Sequence, residues 1–261
     1  MGTGMHGVRN QRVRWRRTAA VGIAVATVLG ASACGSDKDE DAGAAEDAKA
    51  SAPATGTPAP TAGAPDEARL TAASLTDGQK IGRYTASEYV LDGPLGDGYT
   101  ASPAVCQPLV SLAAEAADPD PAAQVQRKVD IPDEMLGLTV DVTLRSYGGD
   151  GAAAVMKSLD KAGKDCAGGF TEERAIASAK YLKVEPAKAP AFASEADEAK
   201  AYRFTILDVK GKATLYEYLT VVRSGTTTLA FRGEITGTRD IGGVPPEIMT
   251  AAWTAFRSAK G

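Results

Sequence analysis

Between Gly35 and Pro65 the chain contains no aromatic residue and no Ile, Leu, Val or Met. A stretch made of Ala, Gly, Ser, Thr, Pro, acid and two lysines cannot bury enough apolar surface to offset the entropy of ordering it, so disorder is expected there. Whatever folds is confined to the residues on either side. The N-terminal side is short and lopsided. Arg9, Arg12, Arg14, Arg16 and Arg17 form a basic block without acid, and Thr18 to Ala33 carry no charge. A membrane-spanning helix needs about 20 apolar residues. This run is shorter and ends in the small residues Ala31-Ser32-Ala33, the layout of an export signal. Arg16-Arg17 raises the twin-arginine route, but Trp15 before the pair and Thr18-Ala19-Ala20 after it fit that pattern poorly, so Sec export is expected. The organisation expected is therefore a signal at 1–33, an acidic Ala/Pro/Gly tether at 34–65, and one folded domain at 66–261, long enough for a single core.

Charge and histidine content exclude several functions. The chain has 29 basic and 33 acidic residues, and loss of the five N-terminal arginines leaves 24 against 33, a net charge of −9. Nucleic-acid affinity comes largely from Lys and Arg neutralising phosphates, so no nucleic-acid partner is expected. The one histidine, His6, lies in the signal. Loss of the signal removes Ser-His-Asp and Cys-His catalysis and histidine-dependent zinc sites; no metal and no catalytic residue is expected.

Cys34 sits where the apolar run meets the charged one. The residues "GASAC", Gly30 to Cys34, resemble the lipobox of bacterial lipoproteins, with Ala31 where leucine is usual at −3. The resemblance implies a diacylglyceryl group on Cys34, which becomes the mature N-terminus, so the expected partner is the membrane, held through this anchor on its extracytoplasmic face. That covalent lipid is the only non-protein group expected. The alternative is an ordinary cut after Ala33, with Cys34 pairing elsewhere. Three cysteines in an exported chain leave one over. With Cys34 lipidated, Cys106 and Cys166 remain as a disulfide pair in an oxidising space. A reactive thiol at either position would lack the histidine or CxxC neighbour that activates one.

Within the domain, "LGLTVDVTLRSY" alternates Leu136, Leu138, Val140, Val142 and Leu144 with Gly137, Thr139, Asp141, Thr143 and Arg145. This is period two, a strand with one buried and one wet face. "KAYRFTILDV", "ATLYEYLTVV" and "TTTLAFRGEI" follow, separated by turns at Gly211 and Ser224-Gly225, an antiparallel meander. "AQVQRKV" and "KYLKVEP" are weaker strand candidates. Asp150 is placed to cap "GAAAVMKSLDKAGKDC", whose Ala152, Val155, Leu159 and Ala162 share a face with Cys166. "VPPEIMTAAWTAFRSAK" should bury Ile248, Ala252 and Phe256, with Trp253 near the edge. In "SPAVCQPLVSLAAEA", Pro108 predicts a kink or a late helix start. These elements predict an α+β fold, an antiparallel sheet with helices on one face and one disulfide tying the segment that holds Cys106 to the end of the helix that precedes Cys166.

The segments "SLTDGQKIG", "TASPAVCQPL", "GAAAVMKSLDKAGKDC", "VVRSGTTTLAF" and "VPPEIMTAAWTAF" together resemble a group of actinobacterial lipoproteins and kinase ectodomains, typified by the extracellular sensor domain of PknH-type Ser/Thr kinases. The likeness spans roughly 68 to 260. It implies an extracytoplasmic, sensor-like binding domain that recognises an envelope ligand or protein partner without catalysis. The kinase ectodomains carry two disulfides where this chain has cysteines for one, and the chain has no kinase domain.

Candidate chemistry is sparse. Tyr216 and Tyr218 share one strand face, and Tyr202 or Phe204 would stand opposite; such an aromatic face could bind an apolar or sugar ligand or could simply pack under a helix. "GGDG" at 148–151 reads as a strand-to-helix turn and Glu172-Glu173 as solvated charge. The alternatives to a binding module are a small-molecule or lipid carrier and a carboxylate-based, glycosidase-like envelope hydrolase, which would need two carboxylates facing each other across a cleft.

Overall fold

The computed structural model describes residues 63–89, 98–111, 119–132, 139–174, 178–208 and 210–259, all within the compact unit Thr55–Gly261. The signal, Cys34 and nearly all of the tether lie outside the described residues, as do Leu136 and Leu138.

Among the described residues ten strands form one antiparallel sheet: β1 (Lys80–Ile81), β2 (Tyr84–Glu88), β3 (Thr100–Ser102), β4 (Ala123–Asp130), β5 (Thr139–Ser146), β6 (Phe170–Glu173), β7 (Ser178–Pro186), β8 (Glu198–Leu207), β9 (Thr214–Ser224) and β10 (Thr227–Gly237). Their spatial order is β1-β2-β4-β5-β10-β9-β8-β7-β6-β3. Among the described residues there are four helices, α1 (Glu67–Ala72), α2 (Gln107–Val110), α3 (Gly151–Asp165) and α4 (Pro246–Ser258). The expected meander is β8-β9-β10, and both weaker strand candidates are present as β4 and β7. The turn after β9 places Gly225 at φ 62°, a conformation that glycine adopts without the Cβ penalty of other residues.

The α+β class, the antiparallel sheet and the disulfide are as expected, but the helices cover both faces of the sheet. Leu70 of α1 and Ile248, Met249, Ala252, Trp253 and Phe256 of α4 share one core with Val140, Val142, Leu144, Tyr218, Val222, Leu229 and Phe231. Leu109 and Val110 of α2 and Val155, Met156 and Leu159 of α3 share a second core with Phe204, Leu219, Val221 and Ala230. Neighbouring residues of β9 and β10 go to different cores, and neighbouring side chains on a strand point to opposite faces. The central strands are thus buried on both sides. For the same reason β5 has no wet face: Asp141, Thr143 and Arg145 are buried along with the apolar residues between them. Period-two alternation marks a polar face; it does not show whether that face meets water.

Local expectations fare differently. The apolar face of α3 is the expected one, with Met156 added. Asp150 occupies the N-cap position without a side-chain capping bond. Trp253 is buried, not marginal: it stacks on Phe192 with ring centroids 5.0 Å apart. Pro108 falls in the first turn of α2, which follows a 3₁₀ turn over Ala104–Cys106, the late start anticipated. Gly163 answers a packing need, since a Cβ there would come within 2.3 Å of the Tyr202 ring.

Cys106 and Cys166 are bonded, with Cα atoms 5.9 Å apart and both residues buried. The bond ties the start of α2 to the C-terminus of α3 and closes a separation of 60 residues. In the chain-entropy model, a loop of that size contributes about 4 kcal/mol. Replacing both cysteines by alanine should therefore lower the free energy of unfolding in urea by about 2–5 kcal/mol. A loss under half a kcal/mol would contradict that role.

Candidate functional site

The α1/α4 side of the sheet contains a cavity of about 520 Å³, within the range of small-molecule sites. Its lining comes from Arg83 and Tyr84 in the β1–β2 region, Ile131 after β4, residues 187–191 after β7, Thr220 and Tyr218 on β9, and residues 239–249. Three strands separate β2 from β9 in the sheet order, so the sheet must curl for both to border one space. Tyr84, Ile131, Val244 and Met249 make much of the wall apolar, and all four are buried.

One wall is a loop tied down by a single phenol. Tyr218 donates from Oη to Asp240 Oδ1 at 2.5 Å and accepts from the N–H groups of Ile241 (2.9 Å) and Gly242 (3.2 Å). Asp240 also pairs with Arg203, which pairs in turn with Glu185. Burial, reinforced by the Asp240 carboxylate, pushes the Tyr218 hydroxyl up to about 12. The phenol's hydrogen bond, with help from the Gly242 N–H and Arg203, holds Asp240 below the usual carboxylate range. Tyr218 therefore stays protonated and Asp240 ionised across physiological pH, and the clamp is permanent there. Gly242, at φ 82°, supplies the left-handed turn that lets two successive N–H groups converge on one oxygen.

Thr220 differs from its neighbours. It is 4% exposed and lines the cavity, and its hydroxyl has no hydrogen-bond partner among the described residues. Its β9 neighbours toward this face are Tyr218, whose hydroxyl is fully engaged, and Val222, which is apolar.

The four aromatic residues singled out in the sequence do not form one surface. Tyr218 and Tyr216 belong to the α1/α4 side, where Tyr216 is half-buried with the Arg203 guanidinium 5.8 Å from its ring. Tyr202 and Phe204 belong to the other core. Tyr202 donates to the Leu159 carbonyl of α3 at 3.2 Å, and Phe204 meets Tyr181 edge-on at 5.5 Å. The register explains the split: Tyr202 pairs with Leu219 and Phe204 with Glu217, so each stands opposite the residue next to a tyrosine, not the tyrosine itself. Tyr218, and Tyr202 at its margin, line the cavity; Phe204 and Tyr216 do not. Sequence reasoning missed Thr220 and the 239–245 loop. Thr220 looked like an ordinary strand residue, and the one available signal was Gly242-Gly243 before Val244-Pro245-Pro246.

The other face holds a polar network that the sequence concealed. The Tyr181 hydroxyl lies 2.9 Å from both Glu172 Oε2 and Glu217 Oε2. Arg174 pairs with Glu172 at 2.6 Å, and Arg232 pairs with Glu217 while donating to the carbonyls of Leu109 (2.7 Å) and Val110 (2.8 Å) at the end of α2. Burial drives the Tyr181 hydroxyl well above its ordinary value, and the two carboxylates add to it. Glu172, expected in solvent, is 3% exposed. Two carboxylates meet here, but they are buried, with a phenol between them and arginines on their outer oxygens. That is not the open pair across a cleft that glycoside hydrolysis requires.

No helix among the described residues is long and apolar enough to cross a membrane, and no group of three or more His, Cys, Asp or Glu among them could hold a metal ion. No family model matches the chain, and no curated protein matches it. Among solved structures, the extracellular domain of PknH from Mycobacterium tuberculosis is similar at a TM-score of 0.49 and 14% identity, covering 76% of this chain and 97% of that one. An uncharacterized protein from Mycobacterium smegmatis is similar at a TM-score of 0.35 and 15% identity, covering 67% and 90%.

Asp141, cross-strand from Lys128 and Arg232, is pushed up to about 6, chiefly by burial. The folded protein keeps this proton to a higher pH than the unfolded chain does. The group thus favours folding below about pH 4, and that advantage is lost as pH rises through about 6. The full swing is about 3 kcal/mol. Asp141→Asn should match the parent protein in urea unfolding at pH 4 and exceed it at pH 7.5, by up to about that amount. A difference that does not change with pH would refute the assignment.

Proposed function

We propose that the chain is a lipid-anchored, extracytoplasmic, sensor-like binding domain that holds a small, largely apolar ligand in the cavity bordered by β9, α4 and the 239–245 loop, and that it carries out no catalysis. The observation that carries this reading is Thr220. The residue is 4% exposed and borders the cavity, and its hydroxyl has no partner among the described residues, so a ligand atom in the cavity could take up its hydrogen bond. The apolar walls provide the driving force and the threonine the orientation, the usual division of labour in small-molecule sites.

Location rests on separate ground. With Cys106 and Cys166 joined, Cys34 is the one cysteine left, and it stands at the end of "GASAC". A diacyl group supplies the two chains that stable anchoring needs, whereas one acyl chain binds reversibly. The acidic tether then holds the domain away from the membrane surface.

Two measurements test these readings separately. The neutral fluorophore N-phenyl-1-naphthylamine should bind the protein with enhanced emission. Ala191→Trp, at an exposed position on the cavity lining, should weaken that binding about tenfold or more with the melting temperature unchanged. Absence of uptake by the parent protein, or uptake indifferent to Ala191→Trp, would remove the cavity from consideration. For the anchor, Cys34→Ala in the native host should shift the protein from the membrane fraction to the medium or stall its processing. Mature protein still bearing lipid would rule the anchor out.

A further inference from the structure

The polar atoms that face the cavity narrow the class of ligand. Resting on the reading of this cavity as a binding site, we propose that its ligand is an uncharged amphiphile whose polar end, a hydroxyl or a carbonyl, turns inward to the Thr220 hydroxyl.

Much of the polar lining is already engaged within the protein. Tyr218 is held by Asp240 and by the N–H groups of Ile241 and Gly242, and Tyr202 donates to the Leu159 carbonyl. Pro190 and Pro245 have no N–H to offer, and their carbonyls accept from the N–H groups of Ala193 and Ile248. Thr220 stands apart. The hydroxyls of Thr227 and Thr228 also lack partners but are sealed from solvent, whereas that of Thr220 is not, so it can be reached from the cavity. Across the cavity on β2, Tyr84 likewise has a hydroxyl with no hydrogen bond among the described residues. Both groups are neutral, and each can donate or accept.

The buried part of the lining carries no charge. The charged lining residues, Arg83, Lys188, Arg239 and Glu247, are all exposed and include both signs. An ionic group drawn inward would lose its hydration with no buried counter-charge to offset the cost. A wholly apolar end fails for another reason. It would expel water from Thr220 without replacing the hydrogen bond, and that too lowers affinity. A hydroxyl or a carbonyl meets both conditions, and the hydrocarbon part then lies against Tyr84, Ile131, Val244 and Met249.

The test uses the full chain carrying Cys34→Ala, so that no attached acyl group competes. Titration calorimetry would compare 1-octanol, 2-octanone, 1-chlorooctane, octanoate and octylammonium, which share an eight-carbon body. Octanol or octanone should bind about tenfold or more tighter than either ion. Thr220→Val keeps the shape of the side chain and removes its oxygen. It should weaken the alcohol or the ketone about fivefold or more, while chlorooctane binding and the melting temperature stay as they were. Thr220→Ser, which keeps the hydroxyl, should bind all five as the parent does. Loss of the ketone on Thr220→Val shows that Thr220 donates, and loss of the alcohol alone that it accepts; either result supports the proposal. An ion binding as tightly as octanol and octanone, or both of these indifferent to Thr220→Val, would overturn the assignment while leaving the cavity a ligand site. Absence of binding by all five would overturn it as well, and absence of fluorophore uptake besides would remove the cavity with it.

Discussion

From Glu217 to Val222 every side chain of β9 is buried, although neighbouring positions on a strand face opposite ways. A strand of this kind can exist only where both faces of the sheet are covered. One cover is α4 with α1; the other is α3 with α2, joined by the Cys106–Cys166 bond. β9 is thus the partition between two cores, and the functional geometry follows from how it divides its residues. Tyr218, Thr220 and Val222 face one side, where the cavity lies. Glu217, Leu219 and Val221 face the other, where the Tyr181 network lies.

The two sides carry different sets of buried polar groups. On the α2/α3 side the polar atoms around Tyr181 are matched: Tyr181 lies between Glu172 and Glu217, and Arg232 carries the charge on to the last carbonyls of α2. Such a network is costly to dismantle piecemeal, because deleting one member leaves another buried without a partner. On the cavity side, Thr227 of β10 and Thr220 of β9 both carry hydroxyls with no hydrogen-bond partner among the described residues, and Thr220 is the one that lines the cavity. Tyr218 is engaged with the 239–245 loop, and Thr220, two residues on, has nothing to bond.

α2, α3 and α4, the central strands and the disulfide were legible in the sequence to different degrees, and α1 was not. α3 and α4 were clear because a 3.6-residue apolar stripe is a local property, and β8, β9 and β10 because turns at Gly211 and Gly225 separate alternating runs. The edge strands β1, β2, β3 and β6 were not, since two to five residues are too few to show a period. The aromatic set failed for a more instructive reason. Tyr202, Phe204, Tyr216 and Tyr218 all lie on adjacent strands with correct alternation, yet the offset between β8 and β9 sends one pair to each face. A shift of one residue in register would have put all four together, and nothing local to either strand specifies that shift.

By itself the sequence determined the properties that depend on composition and short-range order: a stretch from Gly35 to Pro65 without large apolar residues, a single histidine at His6, an α+β class, and Cys106 and Cys166 available to pair within the domain. Tertiary structure alone decided which face each residue meets. It decided that Asp141, Thr143, Arg145 and Glu172 are buried, because whether a polar face is wet depends on what packs over it from elsewhere in the chain. It also decided that Arg83, Lys188, Thr220 and Arg239, drawn from four separate stretches, border one cavity. Convergence of that kind is a product of long-range pairing and sheet curvature, and no periodicity along the chain records it.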